Sequence, residues 1–206
     1  MSKIVNKHRG IWEWHDILED PSRVYDLVKN NHWNEYTNQL PKDDPNFTGY
    51  VGETILGKST MLWPGDEPHK IVTETFFKCF NEYAKENNLQ LTTDNIGQSW
   101  LIFREYYPGS ALAAHSDNYG YVKKDGGKVE PLFTIILYLN DDYEGGEVDF
   151  IHDDFMFIPK AGSAIMFPST KQHEVLEVKS GIRRMVQTYV YEHNRDYYDP
   201  DIPGAI

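Results

Sequence analysis

The 206-residue chain is poor in cysteine, in positive charge and in long apolar runs, and each shortage excludes a class of protein. Cys79 stands alone, which rules out an intramolecular disulfide framework and any cysteine-based zinc or iron–sulfur site. Lysine and arginine total 20 against 32 aspartates and glutamates, a formal charge of −12. Phosphate affinity rests on clustered cations, so no nucleic-acid partner is expected. No segment approaches the roughly 18 consecutive apolar residues of a membrane helix, and Met1–His8 lacks the apolar centre of a signal peptide. The expectation is therefore an intracellular, cytoplasmic protein without membrane association. What is present suffices for a core. Hydrophobic residues make up 40% and aromatics 14%, which excludes the low-hydrophobicity signature of disorder. No internal repeat is visible, and the length favours one domain over 1–206.

Residues 1–98 read as a helical and loop-rich N-terminal part. Asp20-Pro21 is a start signal for a helix over about 21–32, with Val24, Leu27 and Val28 at helical spacing. Asp66-Glu67-Pro68 opens a second, with acid at the positive end of the helix dipole and proline in the first turn. Val72, Phe76, Cys79, Phe80 and Tyr83 then fall at i, i+4, i+7, i+8 and i+11, and the pattern ends near Asn87-Asn88. Cys79 lies on that stripe and reads as a buried small hydrophobe rather than a reactive thiol.

From residue 99 short apolar and aromatic runs alternate with turns. Ser99–Tyr107, Leu132–Asn140, Glu147–Ile151, Phe155–Ile158, Ser163–Phe167, Glu174–Val178 and Arg183–Tyr191 read as strands, divided by Pro108-Gly109, Gly126-Gly127, Gly145-Gly146, Ala161-Gly162 and Ser180-Gly181. Seven or eight short strands in about 95 residues imply a mainly β, α+β architecture. It is a sandwich or barrel with the two helices packed on one outer face. The tail, 192–206, shows no periodicity.

The residues that carry chemistry lie in the strand-rich part. His115-Ser116-Asp117 places an imidazole and a carboxylate two residues apart, on one face of an extended segment. His173 follows 58 residues later. Two imidazoles and one carboxylate occupy one face of an octahedron and leave three positions open, the arrangement of non-haem Fe(II) oxygenases. A structural zinc site would close its shell with four protein ligands. His152-Asp153-Asp154 is a second His-x-Asp, set aside because only 21 residues separate it from His173 and no other motif is registered with it. Its acids, like Asp141 and Asp142, read as solvated strand ends. The remaining histidines read as surface or core residues, and the five tryptophans as packing residues.

Six separated motifs occur in order: Glu105-Tyr106-Tyr107-Pro108-Gly109, His115-Ser116-Asp117, Thr134 to Asn140, Glu144-Gly145-Gly146-Glu147, Ala161 to Phe167, and His173-Glu174-Val175 with Ser180-Gly181-Ile182-Arg183. Over about 99–191 the chain resembles the Fe(II)- and 2-oxoglutarate-dependent dioxygenases, in the prolyl 4-hydroxylase-like branch. The resemblance implies a double-stranded β-helix core (a cupin-like jelly roll) over 99–191, with Fe(II), 2-oxoglutarate and O2 as cofactor and cosubstrates and ascorbate as an accessory reductant. It implies that His115, Asp117 and His173 ligate iron. Arg183, ten residues after His173, would grip the distal carboxylate of 2-oxoglutarate, for which a planar guanidinium is suited. Tyr138 matches the tyrosine that donates to that carboxylate. Tyr107 matches a pocket-lining tyrosine, with Tyr106 as competitor, and Thr134 is placed on the same strand face as Tyr138.

The implied reaction couples decarboxylation of 2-oxoglutarate to succinate and CO2 with hydroxylation of a C–H bond, the expected substrate being a peptide or protein proline. A free amino acid or other small molecule is the nearest alternative. A non-catalytic cupin-like metal- or ligand-binding module and a nucleic-acid demethylase are more distant ones. Two surface loops, Leu40–Gly65 and Asn118–Glu130, are the expected flanks of a peptide, and the acidic charge favours a neutral or basic substrate. The oligomeric state is not legible in the sequence.

Overall fold

The computed structural model describes residues 3–38, 55–88, 96–118, 121–122 and 128–192. Their elements run β1 (Lys3–His8), β2 (Ile11–His15), α1 (Pro21–Val28), β3 (Asn34–Asn38), β4 (Ile55–Leu62), α2 (Glu67–Glu86), β5 (Ile96–Gln98), β6 (Leu101–Tyr106), β7 (Leu112–His115), β8 (Tyr121–Val122), β9 (Lys128–Val129), β10 (Phe133–Tyr138), β11 (Glu144–Gly145), β12 (Val148–Phe150), β13 (Phe155–Phe157), β14 (Ala164–Pro168), β15 (His173–Val175), β16 (Val178–Ser180) and β17 (Arg183–Glu192).

Nine strands form one sheet in the order β1-β2-β14-β10-β17-β6-β4-β3, with β5 paired to β17. A four-stranded sheet, β13-β12-β15-β7, faces it, and β8–β9 and β11–β16 are two-stranded ribbons. Every pairing is antiparallel. Two sheets sharing one interior, with both helices against the back of the larger, make a double-stranded β-helix.

Period-two alternation sorts the side chains of the large sheet. Phe133, Ile135 and Leu137 of β10, Val186 and Val190 of β17, and Leu101 and Phe103 of β6 meet Val24 and Val28 of α1 and Val72, Phe76, Cys79 and Phe80 of α2. Ile136 and Tyr138 of β10, Met185 of β17 and Tyr106 of β6 point the other way, into the interior between the sheets. Both faces of the central strands are buried, so β10 reads as a continuous run rather than an alternating one.

The α2 stripe is buried as its spacing predicts, and burial pushes the Cys79 thiol pKa well above its usual value. α1 is shorter than expected. It stops at Val28, where Asn31 N–H closes a turn on the Val28 carbonyl, and Leu27 lies at the rim, 37% exposed. The helical and loop-rich reading of 1–98 is corrected: that part supplies five strands, β1 to β5, and four of them extend the large sheet on its two sides. The expected loop Leu40–Gly65 contains β4, whose Thr60 and Leu62 are buried; 40–54 lie outside the described residues. Within Asn118–Glu130 the ribbon β8–β9 forms, with 119–120 and 123–127 outside the description. The single strand expected over Glu174–Val178 is two: β15 stays with the small sheet, and β16 leaves to pair with β11. Most of the tail, 193–206, lies outside the described residues.

Candidate functional site

The interior has two polar ends. At the first, β7 and β15 pair so that His115 lies directly opposite His173. Asp117 follows just past the end of β7, where its backbone N–H donates to the Ser169 carbonyl at 2.8 Å. All three side chains are buried, and one donor atom from each lies within 4.8 Å of the others. Nδ1 of His115 meets the Ala113 carbonyl at 2.8 Å, and Nδ1 of His173 meets the Lys171 carbonyl at 3.1 Å. A carbonyl only accepts, so both Nδ1 atoms carry the proton and both Nε2 atoms are left as ligands. Phe167 and Phe150 pack on the His173 ring, with centroids 4.8 and 5.6 Å away.

Asp117 is held by a short relay. Thr134 Oγ1 donates to its Oδ2 at 2.8 Å, and Ser169 Oγ lies 3.0 Å from Thr134 Oγ1. A carboxylate accepts, so Thr134 is the donor there and its oxygen accepts from Ser169. Burial works against the Asp117 charge, but His115, His173 and Thr134 outweigh it and hold the carboxyl below its usual value. Burial, helped by His115, lowers the His173 pKa against the pull of Asp117. The site therefore favours neutral imidazoles and a charged carboxylate, the forms that bind a divalent cation. Three oxygen and nitrogen donors on one side of a buried space fit Fe(II) with positions left open, and no fourth ligand joins them among the described residues.

At the second end, Arg183 begins β17 opposite Tyr106, and its side chain is 2% exposed. Arg183 Nη2 donates to the Tyr138 hydroxyl at 3.0 Å, and the guanidinium carbon lies 5.1 Å from the Tyr138 ring centroid and 5.3 Å from that of Tyr106. No carboxylate pairs with Arg183 among the described residues, and its Nε is buried without a hydrogen-bond partner. Burying an unpaired cation costs several kcal/mol. Burial disfavours the charge, yet Tyr138, Tyr143 and Tyr106 together raise the arginine pKa, so it stays cationic. Arg183 is thus a buried, fixed positive charge with no carboxylate partner among the described residues. By accepting from Arg183, the Tyr138 hydroxyl keeps its own proton available for a ligand.

The structure separates the two tyrosine candidates. Tyr106 is buried in the interior with Tyr138, whereas Tyr107 sits among Lys58, Glu105, Glu35 and Tyr25 on the other face. Arg184 also faces that way, donating to Glu105 at 2.8 Å. Thr134, expected to line the cosubstrate pocket, commits its hydroxyl to Asp117. The second His-x-Asp makes no metal cluster among the described residues. Asp153, however, is no solvated strand end: it is buried and takes Lys171 Nζ at 2.6 Å. That pair ties down the segment leading into His173.

Several residues of the interior escaped the motif reading. Ser169 belongs to the relay on Asp117. Gln187 and Tyr189 continue the face of Arg183 and Met185 along β17, joined by a Gln187 Nε2 to Tyr189 hydroxyl bond of 2.9 Å, and burial, with the Asp117 charge nearby, raises the Tyr189 pKa. Arg104 donates to the Tyr106 hydroxyl at 3.1 Å. Counting every second residue from Arg183 and Tyr106 finds Gln187, Tyr189 and Arg104.

A candidate cation site at one end of a double-stranded β-helix and an unpaired guanidinium further along the same interior suit a divalent metal and an anionic ligand. Residues 101–191 match the family model described as the 2OG-Fe(II) oxygenase superfamily. Over that stretch, a little under half of the chain, the sequence is similar to that superfamily. A PKHD-type hydroxylase of Picosynechococcus sp. is 35% identical over 98 residues, which cover 47% of this chain and 43% of the relative. The chain thus matches less than half the length of such curated relatives. Among solved structures, the collagen prolyl hydroxylase of Paramecium Bursaria Chlorella virus-1, in its 2OG complex, superposes with a TM-score of 0.54 at 20% identity, covering 81% of this chain and 99% of that one. A prolyl hydroxylase of Trichoplax adhaerens, bound to a fragment of the hypoxia inducible factor oxygen degradation domain, gives 0.60 at 16% identity, covering 89% and 84%. At these identities the structures share the fold with this chain.

Proposed function

We propose that this chain is an Fe(II)- and 2-oxoglutarate-dependent hydroxylase whose catalytic core spans 99–191 and whose substrate is a proline of a peptide or protein. The observation that carries the reading is the buried Arg183, a cation without an anion, on the same interior surface as a preorganised His115-Asp117-His173 set.

His115, Asp117 and His173 would hold the iron, with their ligand atoms preset by backbone carbonyls and by Thr134. When bound, iron with 2-oxoglutarate and O2 supplies the oxidant for C–H hydroxylation, releasing succinate and CO2. Arg183 and Tyr138 fix the distal carboxylate of the cosubstrate, so its keto acid end is presented to the metal in one orientation. Tyr106 walls the cosubstrate side, and Phe150 and Phe167 keep water from the His173 side. Gln187, Tyr189 and Arg104 border the space left for substrate. The Trichoplax adhaerens prolyl hydroxylase that shares this fold is bound to a peptide fragment, which favours a peptide substrate here.

The test incubates the Fe(II)-loaded full chain with 2-oxoglutarate and O2 against proline-containing peptides and free amino acids. The expected result is succinate in step with a one-oxygen mass gain on a peptidyl proline. Coupled turnover on a free amino acid alone would move the substrate to the small-molecule class. A protein that binds iron but never 2-oxoglutarate would leave the non-catalytic cupin-like reading.

A further inference from the structure

Tyr143 was not among the residues that the motifs singled out, yet it stands beside Arg183. Its hydroxyl is shut off from water and, apart from the Arg183 guanidinium that acts on it, meets no hydrogen-bond partner among the described residues. Arg183 and Tyr138 both lie close enough to influence its ionisation. Two buried polar atoms with unmet hydrogen-bonding capacity, the Tyr143 hydroxyl and Arg183 Nε, thus belong to neighbouring side chains.

The ring is seated by two close approaches that only glycine permits. A Cβ on Gly146 would come within 2.8 Å of Arg183 Cδ and 3.4 Å of Tyr143 Cε2. A Cβ on Gly181 would meet the Tyr143 Cα at 2.8 Å and its Cβ at 2.9 Å. Both glycines also have positive φ, 71° and 74°. The turn after β11 and the turn before β17 are therefore pared back around one tyrosine and one arginine. Packing alone would be served as well by phenylalanine, which would leave no orphaned donor.

We propose that Tyr143 is a third anchor for the distal carboxylate of the cosubstrate, its phenol donating to the same group that Arg183 and Tyr138 hold. The proposal rests on the 2-oxoglutarate reading above. Burial raises the phenol's pKa, so it remains a protonated donor at neutral pH. A carboxylate has lone pairs enough to accept from one guanidinium and two phenols at once. The residue would thereby contribute to selecting a dicarboxylic over a monocarboxylic 2-oxo acid.

The experiment compares wild type with Tyr143→Phe, both loaded with Mn(II), by calorimetric titration with 2-oxoglutarate and with 2-oxopentanoate, which has the same chain length but no distal carboxylate. Wild type should prefer 2-oxoglutarate. In Tyr143→Phe its affinity should fall about ten- to a hundred-fold, the range for a hydrogen bond to a charged group, with 2-oxopentanoate and Mn(II) binding unchanged. An unchanged 2-oxoglutarate affinity, or an equal loss for both acids, overturns the role of Tyr143, the latter because a packing defect does not read the carboxylate. A wild type that fails to discriminate the two acids overturns the 2-oxoglutarate reading itself, and Tyr143 with it.

Discussion

The two faces of the large sheet are built from the same strands but made for different tasks. Its outer face meets α1 and α2 through Phe133, Ile135, Leu137, Phe103 and Val186 and carries the apolar bulk of the fold. The inner face, one residue out of phase, interrupts its aromatics with Thr134, Tyr138, Arg183 and Gln187. This second face holds Arg183 buried, its Nε without a hydrogen-bond partner. In a strand, then, stability and chemistry can be assigned to alternate residues with little interference between them.

The comparison is broken or sharpened by substitutions on each side. The largest expected effect is that of Asp117→Ala, which removes the only charged ligand of the three: Fe(II) affinity should fall by more than about a hundred-fold, beyond the range for outer-sphere partners. Unaltered metal affinity in that variant would remove the triad. Next is Phe103→Ala on the outer face. Its ring is fully buried against Tyr25 and Trp33, so about 3–5 kcal/mol of unfolding free energy should be lost in denaturant titrations while the folded fraction keeps its iron and 2-oxoglutarate affinities. A matching loss of affinity would show that the faces are coupled.

Thr134→Val keeps shape and removes the donation to Asp117, so metal affinity should weaken about ten- to a hundred-fold without loss of fold. The smallest effect concerns pH. In the metal-free protein the folded pKa of His173 is lowered, so the unfolded chain binds more protons between that pKa and about 6.5 and stability rises with pH there. Asp117, also lowered, contributes stability that is lost only as pH falls through its folded pKa. Metal loading should accordingly be flat from neutral pH upward and decline only as acidification reaches the lowered His173 pKa, below the ordinary imidazole range. A decline on the alkaline side instead would contradict the neutral-imidazole assignment.

Much of this was legible because the chemistry sits on regular elements. His115 and Asp117 share a spacing, Arg183 opens a long strand, and the α2 stripe repeats at helical period. The parts that were not legible depend on partners distant in the chain. β1, β2, β3 and β4 carry mixed polar and apolar residues that look like loops until the large sheet supplies their hydrogen bonds. Glu174–Val178 looked like one strand because nothing local announces that Val178 leaves to pair with Gly145. Tyr106 and Tyr107 differ by a single step, so only the register of β6 against β17 tells which faces inward. Asp153 looked solvated because its counter-ion, Lys171, lies 18 residues on.

The most direct test of the central claim, that Arg183 waits for the distal carboxylate of a metal-bound 2-oxo acid, is an anaerobic titration of the Fe(II)-loaded chain with 2-oxoglutarate, followed by visible absorption. The account predicts a saturable metal-to-ligand charge-transfer band whose apparent dissociation constant rises sharply in Arg183→Gln. Protein with confirmed iron that develops no band, or a variant that binds as tightly as wild type, would contradict it.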